Sequence, residues 1–230
     1  MKPKKIEYSN NYEGLEFFVP SKECIADWYK QAPRFIDDKM NIDSTGSVNK
    51  NFKLCVPFLD GMLSGYTVIS WQEALFKNED GRKIATWPGD PEIIGIRDQE
   101  MNKGIPVPAG HLDKSFWWYM PFSIKLPKGY SLLITHPLNR YDLPFTTMSA
   151  IVDADEIMTD GKIPFFIKED FEGIIPKGTP LFQVIPFKRD NWERVENNNL
   201  LEYSKKFYVK TQTLFYGYYK NNVWKKKIYK

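Results

Sequence analysis

The sequence predicts an all-β domain, an antiparallel sandwich or barrel, with a short N-terminal helix and a partly helical C-terminal extension. Three observations lead there. The first is a phrase that occurs twice. Leu126-Pro127-Lys128-Gly129-Tyr130-Ser131-Leu132-Leu133-Ile134 is echoed by Ile175-Pro176-Lys177-Gly178-Thr179-Pro180-Leu181-Phe182-Gln183-Val184-Ile185. Each copy reads as a turn feeding an apolar strand: proline presets φ for position i+1 of a turn, and the glycine two residues on tolerates positive φ. The second observation is spacing. Short apolar runs follow one another too closely for the helical crossovers that parallel strands require. The third is an aromatic content of 16%, since large flat side chains suit sheets and interfaces.

Taken in order, residues 1–20 are polar until Leu15 to Val19, the expected first strand. Pro20-Ser21 opens a short helix through Asp27-Trp28-Tyr29-Lys30, with Ser21 as N-cap and Pro33 as the stop. Residues 37–51 form a polar loop. Phe52 to Phe58 alternates in part and reads as a strand, followed by turns at Asp60-Gly61 and Ser64-Gly65 and a strand from Gly65 to Trp71. Asn78 to Gly81 is a hairpin tip, with Arg82 to Trp87 returning. Residues 88–113 are rich in proline and glycine and read as a surface connection. Phe116 to Met120 resumes a strand. Thr146 to Val152 and Ile163 to Lys168 are two more, the second announced by Asp160-Gly161. Pro137 and Pro186 mark strand ends, because proline has no N–H for a ladder. Residues 1–192 thus form the β domain. Residues 193–230 are an extension in which Leu200, Leu201, Ser204 and Phe207 fall near helical spacing, so a helix is expected around 192–207.

Composition narrows the function classes. A hydrophobic content of 42% over 230 residues is enough for a real core. A net charge of +3 is small for this length and argues against nucleic acid as the main partner of the whole domain. Cys24 and Cys55 make no CxxC pair and read as free, buried thiols in a reducing compartment. No run approaches the ~20 apolar residues of a membrane span, and the N-terminus lacks the apolar segment of a signal peptide. The expectation is a soluble protein, made inside a cell, with no membrane partner and no cofactor.

Several constellations could carry chemistry. His111-Leu112-Asp113 has the spacing that puts two metal ligands on one side of a strand, although both flanks read as loop. Asp153-Ala154-Asp155-Glu156 follows a strand and would offer a cation site if Asp153 and Asp155 share a side, or simply an acidic turn. His136, Asn139, Arg140 and Asp142 cluster in one loop, and Lys188-Arg189-Asp190 closes the second copy of the phrase. If the two copies pair, Arg140 and Arg189 would share a rim able to bind an anion or a protein, or to form a salt-bridged corner. Phe116, Trp117, Trp118 and Tyr119 break alternation, so Trp117 and Trp118 are either interface residues or core. The basic end, with Trp224, Lys225, Lys226 and Lys227, could hold a nucleic-acid backbone or an acidic protein, or be a solvated tail. No Walker loop, Ser-His-Asp order, zinc spacing or GxGxxG is present.

Trp28-Tyr29-Lys30, Cys55-Val56-Pro57-Phe58-Leu59-Asp60 with Gly65-Tyr66, Pro127-Lys128-Gly129-Tyr130-Ser131, Pro137-Leu138-Asn139-Arg140, Asp142-Leu143-Pro144-Phe145, Val152-Asp153-Ala154-Asp155 and the run Gly178 to Arg189 together resemble an uncharacterised family of tailed bacteriophages, notably marine ones, and of some bacteria. The resemblance covers residues 20–192. It implies a phage-type β protein and carries no catalytic residues. The layout of the central strands is also similar to the β-clip fold of dUTPases and dCTP deaminases, although the chain lacks their Arg-Ser-Ser turn, a Glu in the run Ile163 to Ile167 and the Gly-rich C-terminal arm. The leading expectation is a non-enzymatic structural or binding protein of a tailed phage, partnered with itself or with other phage proteins, in the virion or in the cytoplasm of the infected host. The alternative is a nucleotide-binding or nucleotide-hydrolysing β-clip protein using Asp153 or Asp155 near Arg140 and Arg189. A third is a non-haem iron oxygenase through His111 and Asp113.

Overall fold

Turn chemistry sets many of the strand boundaries. The computed structural model describes residues 4–10, 12–156, 161–211 and 217–230; Asp160 of the expected Asp160-Gly161 turn lies outside them. The described residues form fourteen strands: β1 (Glu7–Asn10), β2 (Phe18–Pro20), β3 (Tyr66–Ile69), β4 (Ala74–Glu79), β5 (Arg82–Thr86), β6 (Ile94–Ile96), β7 (His111–Tyr119), β8 (Phe122–Lys125), β9 (Tyr130–Thr135), β10 (Phe145–Thr147), β11 (Ala150–Val152), β12 (Lys162–Lys168), β13 (Gly173–Ile175) and β14 (Pro180–Lys188). Three α-helices accompany them: α1 (Asp27–Gln31), α2 (Val56–Leu63) and α3 (Leu200–Val209). The strands pair antiparallel in four sheets, ordered β11-β9-β14-β3-β2, β10-β12-β7-β6, β13-β4-β5 and β1-β8. The chain is all-β and sandwich-like.

The chain groups into two compact units. Met1–Cys24 with Gly65–Arg189 holds every strand, and Ile25–Ser64 with Asp190–Lys230 holds the three α-helices. In the β unit the repeated phrase folds the same way twice. Tyr130 N–H bonds the Pro127 carbonyl at 3.2 Å, and Thr179 N–H bonds that of Pro176 at 3.2 Å. Gly129 and Gly178 sit at φ 84° and 85°. Proline is therefore the first residue of each turn rather than the second, and glycine occupies the positive-φ position of a type II turn. The β4–β5 hairpin turns on Asp80 and Gly81, both at positive φ (49° and 74°), the primed geometry that matches strand twist.

Several expectations need correction. The strand expected from Leu15 begins at Phe18 and is the second of the chain, because Glu7–Asn10, in the stretch read as polar, already pairs with β8. Phe52 to Phe58 is not a strand: Phe52–Leu54 is a 3₁₀ turn and Val56 opens α2, which takes in Asp60-Gly61. The Asn51 side chain accepts the Lys53 N–H, and a proline sits in the first turn of α2, two helix-start signals that outweigh the weak alternation. Ser21 does not cap α1. It lies in a 3₁₀ turn, Ser21–Cys24, with its hydroxyl 2.9 Å from Thr67 Oγ1, and Ala26 precedes α1 without a side-chain cap. Pro186 does not end β14, which continues to Lys188. Pairing with β3 stops at Val184, so the missing N–H of Pro186 breaks no ladder on that edge. The connection 88–113 contains β6 and a 3₁₀ turn, Gln99–Asn102. Thr146 to Val152 splits into β10 and β11, in different sheets. The C-terminal helix occupies Leu200–Val209 rather than 192–207.

The aromatic run of β7 keeps strict alternation, contrary to expectation. Phe116, Trp118 and Met120 are buried, while Trp117 and Tyr119 take the other face. Trp118 stacks on Phe165 with ring centres 3.7 Å apart and planes 5° from parallel, and Phe145 meets it edge-on at 4.9 Å. Its indole N–H donates to Thr147 Oγ1 at 3.2 Å, and that hydroxyl donates to the Leu181 carbonyl at 2.7 Å. One buried hydroxyl thus ties the four-stranded sheet to the five-stranded one while pairing the Trp118 indole donor.

Gly65, at φ 72°, opens β3 where a Cβ would lie 2.1 Å from the Val184 carbonyl oxygen. Gly14 has a similar φ of 79° and open space around it. Gly14→Ala is therefore expected to cost only the left-handed strain, about 1–2 kcal/mol. Gly65→Ala adds a backbone clash and should cost clearly more. Chemical denaturation of the two variants side by side measures the difference, and equal losses would refute the close-approach account.

Candidate functional site

The antiparallel pairing of β9 with β14 decides where the candidate residues go. Lys188 stands opposite Tyr130, so Arg189 leaves β14 where β9 begins, and its N–H donates to the Gly129 carbonyl at 2.9 Å. β11 pairs with the other edge of β9, Val152 opposite Leu132, and delivers Asp153 and Asp155 to the same place. The Arg189 guanidinium lies 3.1 Å from Asp153 Oδ1 and 3.1 Å from Asp155 Oδ1, with its second nitrogen on Asp155 Oδ2. Asp155 Oδ2 also accepts the Gly129 N–H at 3.0 Å, and Ser131 donates to Asp153 at 2.6 Å. The Asp155 side chain is 12% exposed and that of Asp153 is 68% exposed. The Arg189 guanidinium, then the Gly129 amide, pull the Asp155 carboxyl down to about 2. Ser131 and Arg189 lower that of Asp153. The two carboxylates share a side, as the cation-site reading required, and both pair with the Arg189 guanidinium. Among the described residues no group of three or more His, Cys, Asp or Glu is placed to hold a metal ion.

Arg140 lies beyond the opposite end of β9. Five register steps separate Tyr130 from Thr135, roughly 17 Å at a strand's rise. The expected Arg140/Arg189 rim is therefore not assembled, because copies that pair antiparallel put their ends at opposite edges of the sheet. Arg140 makes a bidentate pair with Asp142, closest at 2.8 Å, and donates to the Cys24 carbonyl at 3.3 Å. Its own N–H returns to the Pro137 carbonyl at 3.1 Å across Asn139, at φ 64°, so a Pro-x-Asn turn repeats the geometry of the Pro-Lys-Gly turns. Gln183 in β14 accepts the Leu138 N–H at 2.9 Å. Within this loop His136 is mostly enclosed. Its Nε2 lies 2.9 Å from the Arg140 carbonyl and its Nδ1 accepts the Thr147 N–H at 3.3 Å, which requires the neutral Nε2-protonated ring. Burial pushes its pKa down.

His111 begins β7 rather than sitting in a loop. Nδ1 lies 3.0 Å from the Ala109 carbonyl and Nε2 3.0 Å from Thr146 Oγ1, so both ring nitrogens are engaged, while Asp113 is exposed on the strand. Trp118 is core and so is not on an interface. Trp117 is half-buried, with Lys162 Nζ 4.9 Å above its ring. Cys24 and Cys55 are free thiols, half-buried rather than buried.

The helical unit holds two features. The basic end is anchored: Trp224 Nε1 donates to Asp60 Oδ2 at 2.8 Å and Lys227 pairs with the same carboxylate, while Lys225 and Lys226 are exposed. A cleft of about 970 Å³ is lined by residues 50–57 and 217–221, with Arg34 and Phe207. Sequence reading missed it because Phe52 to Phe58 was expected to be a strand. The signals that could have shown it are the Asn51 cap and Pro57. No protein-family model matches the chain, and no curated protein matches it either.

Two pH dependences follow. The Asp155 carboxyl ionises at about 2 in the folded state, against an ordinary 3.8, so between those values the unfolded chain binds more protons. Its stabilisation is complete above pH ~4 and lost as pH falls toward ~2. Thermal melts across that window should fall less steeply for Asp155→Asn than for the parent chain. His136 is also depressed, so folding loses stability as pH drops below the ordinary histidine value of about 6.5. His136→Gln should flatten the melting temperature between pH ~7 and ~5; an unchanged slope would contradict the buried neutral ring.

Proposed function

We propose that this chain is a non-enzymatic assembly protein that associates with a second copy of itself through its C-terminal segment. The observation that carries the reading is α3. None of its residues is buried, and Leu200, Leu201, Tyr203, Tyr208 and Val209 stand in solvent. Ten residues are fewer than an isolated helix needs to be stable in water. The pairs Leu200/Phe207 and Leu201/Tyr208 are each seven residues apart, the repeat that presents a seam to a like helix. Trp192, 90% exposed, precedes it. In the β unit the chemistry-bearing groups are engaged in holding the fold, Arg189 by two carboxylates and the two histidines by backbone and threonine partners. The resemblance of residues 20–192 to tailed-phage proteins supports a role in a virion or in the infected cell. No helix among the described residues is long and apolar enough to cross a membrane.

Light scattering tests the reading. The full chain is expected to give a defined oligomer and a chain lacking residues 193–230 a monomer. Because removing part of the helical unit could unfold it, Leu201→Glu with Tyr208→Glu in the full chain is the second arm. It should also dissociate the oligomer with an unchanged circular-dichroism spectrum. A monomeric parent chain, or an oligomer indifferent to both changes, would sink the proposal.

A further inference from the structure

We infer that the cleft of the helical unit binds single-stranded nucleic acid. Charge is divided between the two units. Residues 25–64 and 190–230 carry 14 Lys+Arg against 9 Asp+Glu, whereas the β unit carries 18 against 20. The small net charge of the whole chain conceals a unit at +5 beside one at −2. Within the positive unit the cleft concentrates the effect. Arg34, Lys50, Lys53 and Lys220 line it and, among the described residues, no acidic side chain does. Arg34, Lys50 and Lys220 make no ion pair among the described residues, while Lys30, Lys205 and Lys227 of the same unit each have a carboxylate partner. Lys53 is spent differently, donating to the Lys30 and Ala32 carbonyls at the end of α1.

The second half of the argument is aromatic. Phe52 stands on the cleft wall 75% exposed, with the Phe58 ring tilted against it at a centre-to-centre distance of 5.9 Å. Tyr218 and Tyr219 line the same cleft and are half-buried. Cations that follow a phosphate backbone, beside rings on which bases can stack, are the two components of sequence-tolerant single-strand binding. An acidic peptide would use the cations and leave the rings idle. The first turn of α2 also lines the cleft, and Cys55, at its cap, makes no side-chain cap bond, so the partial positive charge of this helix end adds to the field.

The test is fluorescence anisotropy of an end-labelled oligothymidylate of about 16 nucleotides, titrated with the full chain at about 50 and about 200 mM salt. Binding that weakens with salt is expected. Lys50→Ala with Lys220→Ala should lower the logarithmic salt slope by about 1.4, since each single-strand phosphate contact contributes about 0.7. Phe52→Ala, which removes an exposed ring, should weaken binding roughly ten-fold with an unchanged circular-dichroism spectrum. Three results would overturn the inference: no binding at the lower salt, thymidine monophosphate or polyglutamate competing as well as the oligonucleotide, or both variants binding like the parent chain. The last would assign the affinity to the Lys225–Lys227 end alone.

Discussion

Strand β14 is laddered on both edges, to β9 along one and to β3 along the other, and the β unit depends on that double pairing. The strand is nine residues long, and its first five are buried. It puts Leu181, Phe182 and Val184 into the core, and it accepts, through the Leu181 carbonyl, the hydroxyl that in turn receives the Trp118 indole. The second half has β9 as its only ladder partner, and that is where proline is tolerated. Ending opposite the start of β9, the strand also delivers Arg189 to the carboxylates that β11 brings from the other side.

The charged cluster built there is structural in character. Asp155 is largely enclosed and is satisfied by a guanidinium and a backbone amide. A carboxylate so paired is held ionised and locks the three strand ends together, and removing one partner would leave the others short. His136 is treated in the same economical way. Both nitrogens are used by backbone groups, and neutrality is the condition of its burial. The β unit therefore uses its polar groups to fix geometry. The helical unit differs: apolar rings and aliphatic side chains stand in solvent along α3 and at Phe52, and basic side chains line a cleft that no acidic side chain lines among the described residues. Unspent chemistry of this kind is what recognition requires.

Much of the β unit was legible in the chain itself. Asp80-Gly81 dictates a two-residue hairpin because both positions need positive φ. The Pro-Lys-Gly phrases dictate turns because their glycine takes the positive-φ position, and the apolar runs behind them have strand length. Trp118 illustrates what was not legible. Its neighbours Phe116, Trp117 and Tyr119 are aromatic too, so hydrophobicity alone could not say which face was inside. Phe52 to Phe58 shows a different failure. A weak alternation competed with an Asx cap and a helix-opening proline, and the local backbone signals prevailed, carrying Asp60 from an expected turn into a helix.

By itself the sequence determined the class of the fold, the positions of the Pro-Lys-Gly and Asp80-Gly81 turns and the residue types available for binding. Those properties are local, since each rests on the φ preference of a glycine, asparagine or proline or on the period of a short run. Which residues meet was decided only by tertiary structure. Arg140 and Arg189 follow two copies of one phrase and look equivalent in the chain, yet the pairing of those copies is antiparallel. That single choice of strand direction sent one arginine to Asp142 and the other to Asp153 and Asp155. It could not be read from either copy, because a strand's direction relative to its partner is a property of the pair.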